Sequence, residues 1–359
     1  MEINFWKNKK VLVTGNTGFK GGWLSLWLEH LGAQVHGCAL LPNTKPNLFD
    51  VARVKEGTEA YFCDIRDYSK LNFFLTELEP EIIFHLAAQP LVSDSYIDPL
   101  TTYSTNVMGL VNLLNISRNL KKLRVLVNIT TDKCYENLNI DTKTYQEEDL
   151  LGGYDPYSNS KACSELITNS FRNSFFNPLI YSEHKVAIAS ARAGNVVGGG
   201  DWSQDRLIPD VIRSYNSKTT LQVRNPSSTR PWQHVLEPLR GYLNLAQNLY
   251  LHGCDFSGAW NFGPNEDDVK TVEWVVKEAA RNLPELKYVV NNDKSFHEAN
   301  YLKLNSNKAE NYLNWKPLIT SEEAIDKTCG WYKAFFEKKD MRAYTLKEIT
   351  NYENLLGNN

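Results

Sequence analysis

Long hydrophobic runs, paired cysteines and dense blocks of one charge are all missing from this sequence of 359 residues. No apolar stretch approaches the roughly 20 residues that a helix needs to cross a bilayer, so we expect no membrane partner. The opening segment, MEINFWKNKK, is too polar for a secretory signal peptide. These absences predict a cytoplasmic protein.

The cysteine and charge patterns exclude two further classes. The six cysteines are widely spaced and none forms a CxxC pair, which argues against a zinc or dithiol site. Scattered thiols are typical of a reducing compartment. The formal net charge is −3 and no basic block occurs, so we expect neither a nucleic-acid partner nor a bound metal.

What the sequence does contain is an alternation of apolar runs and helix-like segments. KKVLVTG, AQVHGCAL, EAYFCDI, EIIFHLAAQP, RVLVNITT and KVAIASARAGNVVG have the length and composition of strands, and helical spacing lies between them. Strands that are apolar on both faces favour a parallel sheet covered by helices on each side. The pattern predicts an α/β fold with a doubly wound parallel sheet of the Rossmann type.

The alternation is lost after about residue 198, which predicts a second lobe. We assign residues 1–195, with a return segment at about 231–264, to the dinucleotide-binding domain. A smaller C-terminal lobe that binds the substrate would comprise about 196–230 and 265–345. The last residues, KEITNYENLLGNN, are expected to be a frayed or loosely docked tail.

Three glycines link the first predicted strand to the following helix. Gly15 would permit a tight turn, Gly18 would let the backbone approach a pyrophosphate, and Gly21 would allow close packing of helix and strand. The positive end of the helix favours a phosphate at this place. A glycine-rich turn without a ligand is the alternative interpretation.

The adenosine end of such a site is less clear from the sequence. The second strand ends without an acidic residue, and Asn43, Thr44 and Lys45 follow it, so the pattern does not decide between NAD and NADP. Asp64 and Ile65 follow the third strand where an adenine edge could lie. Asp64 could equally cap the next helix.

Tyr157 and Lys161 lie four residues apart in a predicted helix and so share one face. A buried ammonium group beside a phenol favours the phenolate, which makes the phenol a usable base for an alcohol proton. Tyr154 is a competitor, but Ser158 stands four residues beyond it. Tyr157 is therefore the predicted base.

Thr131, Asp132 and Lys133 end the strand that precedes this helix. Open parallel sheets bind their ligands at the carboxyl ends of the strands. The Thr131 hydroxyl could hydrogen-bond a substrate alcohol there. Asp132 could instead be a capping or turn residue.

With these residues in place, the chain resembles the extended short-chain dehydrogenase/reductase family. Within it, the chain is most similar to the nucleotide-sugar 4,6-dehydratases that act on CDP-glucose. The resemblance covers nearly the whole chain and rests on five segments: VTGNTGFKGGWL, TTDKCYEN, YSNSKACSE, ARAGNVVGGGDW and RPWQHVLEPL.

The resemblance implies tightly held NAD, a CDP-glucose substrate and a role in deoxysugar biosynthesis, as for lipopolysaccharide O-antigens. It also implies a homodimer or a dimer of dimers, joined through two long helices of each subunit.

The reaction implied by the resemblance begins at Tyr157. With Lys161 nearby and Thr131 hydrogen-bonding, Tyr157 takes the proton of the sugar 4-hydroxyl while hydride passes to NAD. The new ketone acidifies the C5 proton, a base removes it, and Asp132 protonates the departing 6-hydroxyl. Hydride then returns to C6.

The chain departs from the broader dehydratase pattern at one catalytic position. The usual motif is Asp-Glu, whose glutamate takes the C5 proton, whereas this chain has Asp132-Lys133. Lys133 could be the base if its pKa is lowered. Alternatively, Lys133 stabilises the enolate and Glu136 or another group takes the proton.

The resemblance also assigns the binding residues. NAD would contact Gly15, Thr17, Gly18, Phe19, Lys20, Gly21, Asp64, Ile65, Leu86, Ala87, Ala88, Gln89, Tyr157 and Lys161. The nucleotide sugar would contact Gln89, Asn195, Arg206, Arg230 and His234, although His234 could also be structural. Trp202 and Trp232 could pack on the base or sugar, or belong to the core.

Two rival functions are compatible with part of this pattern. A nucleotide-sugar epimerase or reductase would use the same fold, but it needs no acid for a leaving hydroxyl. A non-catalytic dinucleotide sensor would have little use for Tyr157 and Lys161.

Overall fold

The computed structural model describes residues 3–290 and 301–357. Its strands are β1 (Lys10–Thr14), β2 (Gln34–Ala39), β3 (Thr58–Phe62), β4 (Ile82–His85), β5 (Val125–Ile129), β6 (Ala187–Ala193), β7 (Val196–Val197), β8 (Thr220–Val223), β9 (Thr229–Arg230), β10 (Gln233–His234), β11 (Gly258–Phe262), β12 (Lys270–Thr271) and β13 (Lys287–Val290).

The helices cover the sheet and build the second lobe. They are α1 (Phe19–His30), α2 (Leu48–Val51), α3 (Tyr68–Leu78), α4 (Val92–Ile97), α5 (Pro99–Tyr103), α6 (Gly109–Ser117), α7 (Pro156–Ser174), α8 (Tyr181–His184), α9 (Leu207–Ser217), α10 (Leu236–His252), α11 (Val272–Asn282), α12 (Asn307–Leu313), α13 (Ser321–Phe336) and α14 (Met341–Gly357).

A seven-stranded sheet in the order β11-β6-β5-β4-β1-β2-β3 forms the centre of the molecule. Each neighbouring pair in it is parallel. The chain winds outward in one direction from β1 through β3 and in the other from β4 through β6. The predicted α/β, doubly wound fold of the Rossmann type is therefore confirmed, with its switch point between β1 and β4.

Two apolar cores lie on opposite faces of this sheet because side chains alternate along each strand. On β1, Val11 and Val13 join the core under α1, α10 and α14. Leu12 points the other way and joins the core under α3 and α6. The strands are buried on both faces, which explains why their sequences read as continuous apolar runs.

The helix predicted to start at Pro99 is continuous but contains a π-helical segment in its middle. A π-helical segment, Ser104–Met108, joins α5 to α6. It buries Asn106, whose amide donates to Gln89 O (3.0 Å) and Ser160 Oγ (2.9 Å). The irregular turn therefore ties the loop after β4 to α7.

After β6 the chain leaves the central sheet and returns to it as β11. Outside that sheet, β8 pairs with β13 and β9 pairs with β12. The domain limits at about 196–230, 231–264 and 265–345 stay predictions, and their segment 291–300 lies outside the described residues.

The expectation of a loosely docked tail is wrong. α14 runs to Gly357 and packs on α1. Tyr352 donates its hydroxyl to Glu237 Oε2 (2.7 Å), and Trp27 donates to Glu353 Oε1 (2.8 Å). The polar composition of this segment concealed the few side chains that anchor it.

Within residues 3–290 and 301–357, no helix combines the length and the apolar character needed to cross a membrane.

Candidate active site

The turn after β1 leaves no room for side chains at two of its glycines. Gly15 has φ +74°, and a Cβ atom there would lie 2.8 Å from the backbone nitrogen of Ala87. A Cβ atom at Gly21 would lie 2.2 Å from the Gly15 carbonyl oxygen. These contacts require glycine and bring the turn, α1 and the end of β4 close together.

The N-terminus of α1 begins at this turn. Gly18 is its N-cap, so no side chain caps the helix. Lys20, in the first helical turn, donates Nζ to the Tyr242 hydroxyl at 3.0 Å. Burial, with the charges of Lys161 and Arg206, lowers the pKa of Lys20 to about 7. The turn therefore offers a helix dipole and an amine to an anionic ligand.

The loop after β4 lies beside the glycine turn, opposite the start of α1. Leu86 and Ala87 each donate their backbone N–H to Thr14 Oγ1 (3.1 Å). Ala88 is half-buried beside them. The Gln89 amide donates to Thr102 Oγ1 (2.8 Å) and to the Leu91 carbonyl (3.0 Å), and its predicted contacts with cofactor and sugar stay predictions.

At the adenosine end, the carboxylate of Asp64 pairs with Arg66, at 2.6 Å between Oδ2 and Nη2. The N-cap of α3 is Asp67, which accepts from the backbone of Lys70. The alternative interpretation of Asp64 as the helix cap is therefore wrong. Ile65 is buried beside it.

The side chain of Thr17 lies on the same side as the end of β2. Its hydroxyl donates to the Leu40 carbonyl at 2.9 Å. Phe19, next to the N-cap of α1, is half-buried and packs on the core of the sheet.

Tyr157 and Lys161 lie on α7, which begins at Pro156 because Asp155 caps it. The Tyr157 side chain is hydrogen-bonded to Thr131. Burial raises the pKa of Tyr157 to about 12, against the opposing effects of Arg206 and the Thr131 hydrogen bond. Lys161 donates Nζ to the carbonyl of Ile129 at 3.2 Å. The helix thus brings the phenol to the carboxyl end of β5.

Asp132 is a buried acid with one free oxygen. Its Oδ1 accepts from Thr131 Oγ1 (2.9 Å), whereas Oδ2 is buried without a hydrogen-bond partner. A Cβ atom at Gly194 would lie 3.2 Å from that oxygen. Burial raises the pKa of Asp132, against the opposing charge of Lys133. The carboxyl group is therefore suited to donate a proton.

The capping interpretation of Asp132 is wrong. Thr131 caps the short 3₁₀ turn Asp132–Cys134 by accepting from the backbone of Lys133. Lys133 itself is half-buried beside the acid, whereas Glu136 is exposed. Of these two residues, Lys133 is the one next to Asp132.

Two arginines from the second half of the chain approach the same place. Arg206 pairs with Asp201 at 3.0 Å and acts electrostatically on Tyr157 and Lys20. Arg230 is buried and opposes the raised pKa of Asp132. Both predicted phosphate-binding arginines are thus near the phenol and the acid.

Asn195 follows β6 in a half-buried position, and its carbonyl accepts from the backbone of Gln233 at 3.0 Å. Its side chain remains a candidate for a substrate hydrogen bond.

The structure places three other predicted contact residues in the core. His234 is 1% exposed and packs edge-on against Trp23, and burial lowers its pKa to about 3. Trp232 is buried and donates to the Lys270 carbonyl at 3.1 Å. Trp202 packs among the aromatic rings of α13. The burial of His234 favours its structural interpretation, and its substrate contact stays a prediction.

Three residues of the site were not found from the sequence. Tyr242 lies in the apolar helix α10, where no local pattern signals it, whereas Gly194 and Asp201 lie in the segment ARAGNVVGGGDW but were given no role there. Long-range packing alone brings them to the catalytic side chains.

The arrangement is suited to two proton transfers. A phenol beside an ammonium group can take a proton from an alcohol, and a buried carboxyl group can give one to a leaving hydroxyl. Among residues 3–290 and 301–357, no group of three or more His, Cys, Asp or Glu side chains could hold a metal ion.

Comparison with known proteins agrees with this arrangement. Residues 12–328 match the family model described as GDP-mannose 4,6 dehydratase. The chain is 49% identical over 353 residues to a CDP-glucose 4,6-dehydratase of Salmonella typhimurium, covering 98% of each chain.

Solved structures share the fold. The UDP-glucose 4-epimerase of Thermotoga maritima, with UDP-glucose, aligns with a TM-score of 0.79 at 20% identity, over 91% of this chain and 99% of that chain. The dTDP-glucose 4,6-dehydratase of Bacillus anthracis, in complex with NAD, aligns with a TM-score of 0.73 at 23% identity, over 92% and 98%. The family match covers both the glycine turn and the catalytic segment, and the chain belongs to the GDP-mannose 4,6 dehydratase family.

Proposed function

We propose that the protein is an NAD-dependent CDP-glucose 4,6-dehydratase, which forms CDP-4-keto-6-deoxy-D-glucose and water. The observation that carries this proposal is the 49% identity to the Salmonella typhimurium CDP-glucose 4,6-dehydratase over 98% of both chains. The site supports it, because a phenol, an ammonium group and a buried acid lie together at the end of β5.

The residues around the glycine turn fit NAD. Gly15 and Gly21 pack against backbone atoms and hold the turn at the uncapped start of α1, which suits the pyrophosphate. The turn, the loop Leu86–Gln89 and the Asp64–Ile65 pair would hold the cofactor. When bound, NAD supplies a two-electron acceptor that is regenerated within each turnover.

Tyr157 acts first by taking the proton of the sugar 4-hydroxyl. Since burial raises the pKa of Tyr157, the charge of Lys161, one turn further along α7, would favour the phenolate during this step. Thr131 positions the alcohol through its hydroxyl, which already contacts both Tyr157 and Asp132.

Asp132 acts in the elimination of water. Oxidation at C4 makes the C5 proton acidic, and Asp132 delivers a proton from Oδ2 to the leaving 6-hydroxyl. We assign the removal of the C5 proton to the free-amine form of Lys133, because Lys133 is half-buried beside Asp132 whereas Glu136 faces solvent. The positive charge that Lys133 gains then stabilises the adjacent enolate.

Arg206 and Arg230 would bind the substrate diphosphate, and Asn195 would add a neutral hydrogen bond. Guanidinium groups suit this role because they form charge-assisted bonds to phosphate oxygens. Their electrostatic effect on Tyr157 and Asp132 supports a diphosphate that lies beside the reacting sugar.

The test is to incubate purified protein with CDP-glucose and NAD and to weigh the product. Loss of one water supports the dehydratase. Unchanged mass with inverted C4 stereochemistry would show an epimerase, and NAD binding without turnover would show a sensor. Tyr157→Phe, prepared in parallel, controls for contaminating activity.

We further propose a cytoplasmic homodimer with a separate substrate lobe. Six free cysteines support the reducing compartment.

Exposed apolar side chains on α4 to α7 support a subunit contact there, among them Ile97, Leu100, Met108 and Leu166. Sedimentation of the wild type and of Leu166→Glu tests it, since a charge in the contact should shift the protein to monomer.

A further inference from the structure

Glu165 is a buried carboxylate that the proposed reaction does not use. It is 4% exposed and lies on α7, four residues after Lys161 and eight after Tyr157. Residues spaced by four share one face of a helix, so the three side chains form a row along α7. A charge at this depth requires partners.

The carboxylate connects α7 to two strands of the sheet. Thr130, directly after β5, donates its hydroxyl to Oε1. Ser190 and Arg192, both on β6, donate to Oε2 at 2.6 Å and 2.8 Å. Burial alone would raise the pKa of Glu165, but Arg192 and these hydrogen bonds lower it below its ordinary value. Glu165 is therefore an anion.

The same network reaches the catalytic segment from its other end. Arg192 Nη1 donates to the Tyr135 hydroxyl at 2.7 Å, and that hydroxyl donates to Asn261 Oδ1 at 2.8 Å. Thr130 precedes the turn of residues 131–134, here called the catalytic turn, and Tyr135 follows it. Both ends of the turn that carries Asp132 are thus fixed by one ion pair.

The negative charge of Glu165 acts on the pKa of Lys161. Burial lowers the pKa of Lys161 to about 8, and the charge of Glu165 opposes that decrease. The titratable groups around Lys161 are Glu165 and Tyr157 on α7, Cys134 in the catalytic turn, Arg192 on β6, His85 on β4 and Lys20 on α1. His85 is neutral because burial lowers its pKa to about 3.

We infer that Glu165 is a positioning residue, which keeps Lys161 in its charged form and holds the Thr130–Tyr135 segment against α7. The inference rests on the proposed function, in which a charged Lys161 favours the Tyr157 phenolate. The hydrogen-bond partners of Glu165 are Thr130, Ser190 and Arg192, so it would act on the reaction through Lys161 and Thr130.

The test uses the double variant Glu165→Gln/Arg192→Gln. The single Glu165→Gln would leave Arg192 as a buried unpaired charge, and such a change is strongly destabilising. The double variant removes both charges and keeps the side chains polar. Ser190→Ala is the matched control, because it removes a hydrogen bond to the same carboxylate and no charge.

Two measurements are made on each variant. Nuclear magnetic resonance of ¹³Cε-labelled lysine, with Lys161 assigned through Lys161→Met, follows the charge of that side chain without any substrate. The pH profile of kcat/KM with CDP-glucose follows the reaction.

In the double variant, we expect the Lys161 midpoint to fall by about one pH unit, and the alkaline limb of the profile to move with it. Activity near pH 9 should then fall about tenfold relative to wild type, with a smaller loss near pH 6.5. Ser190→Ala should leave both midpoints in place.

A folded double variant with an unchanged Lys161 midpoint would overturn the inference, whatever its activity. An equal loss of activity at every pH would also overturn it, because that result indicates a structural role only. If the midpoint falls but the wild type does not turn over CDP-glucose, the coupling stands and the proposed function fails.

Discussion

The glycine turn after β1 and the catalytic turn after β5 lie at the same edge of the sheet but are built differently. The first takes its shape from the backbone, since Gly15 and Gly21 pack directly against main-chain atoms. The second takes its shape from side chains, since Thr130 and Tyr135 are held by partners on other elements and Thr131 donates to Asp132 within the turn.

Because of this difference, we expect substitutions in the glycine turn to change cofactor binding and substitutions in the catalytic turn to change proton transfer. The glycines of the first turn carry no titratable side chain, and their backbone contacts are fixed once the chain has folded. The catalytic turn uses buried side chains whose charges act on one another, so a single substitution there changes proton transfer while the glycine turn stays intact.

The largest expected effect is that of Tyr157→Phe. Removing the phenol should slow C4 oxidation by about 1,000-fold, because a general base in the transition state contributes on this order. Single-turnover assays with CDP-glucose and NAD measure it. Calorimetric titration should show that NAD still binds, because the glycine turn is untouched. Activity within tenfold of wild type would remove Tyr157 from the mechanism.

Asp132→Asn should affect only the second half of the reaction. The amide cannot donate a proton as an acid does, so elimination of water should slow by about 100-fold. A CDP-4-keto-hexose that retains its 6-hydroxyl, together with reduced cofactor, should accumulate and be visible by mass and absorbance. Normal dehydration by this variant would refute the assignment of the acid.

Gly21→Ala should damage the glycine turn and spare the catalytic turn. The new methyl group would meet the Gly15 carbonyl, so we expect a stability loss of about 1–3 kcal/mol and NAD affinity about tenfold weaker. Urea denaturation and calorimetric titration measure the two effects.

The matched control is Gly330→Ala on α13, where a Cβ atom would meet only the Tyr344 hydroxyl at 3.5 Å. This variant should gain up to about 1 kcal/mol from its higher helix propensity. Equal NAD affinity in Gly21→Ala and the wild type would show that the glycine turn does not hold the cofactor.

The smallest effect on activity is expected for Tyr352→Phe, on the C-terminal helix α14. It removes one hydrogen bond to the buried carboxylate of Glu237, which should cost about 1–3 kcal/mol of unfolding free energy. The turnover number at saturating substrate should stay at the wild-type value. A loss of turnover would show that the C-terminal helix acts on the site.

The fold and the row of Tyr157 and Lys161 were predictable because their signals are local. Buried parallel strands read as continuous apolar runs, and residues four apart share a helix face. The proximity of Tyr242, Asp201 and Gly194 to the site was not predictable, since it depends on contacts between segments far apart in the chain. The sequence left core positions for His234 and Trp232 open as alternatives, and the structure buries both side chains.

Polar segments gave the least reliable expectations. The last helix looked like a loose tail because only a few of its side chains are apolar, yet Tyr352 is buried. Asp64 and Asp67 are both suitable helix caps in the sequence, and only the backbone geometry selects Asp67.

The contact between α14 and α1 has a consequence for folding during translation. Trp27 emerges from the ribosome early, but its partner Glu353 and the neighbouring Tyr352 are made more than three hundred residues later. Until then, one face of the nascent sheet is incompletely covered and offers apolar surface to chaperones. The helix α14 therefore covers the domain only after more than three hundred further residues have followed its first strand, β1.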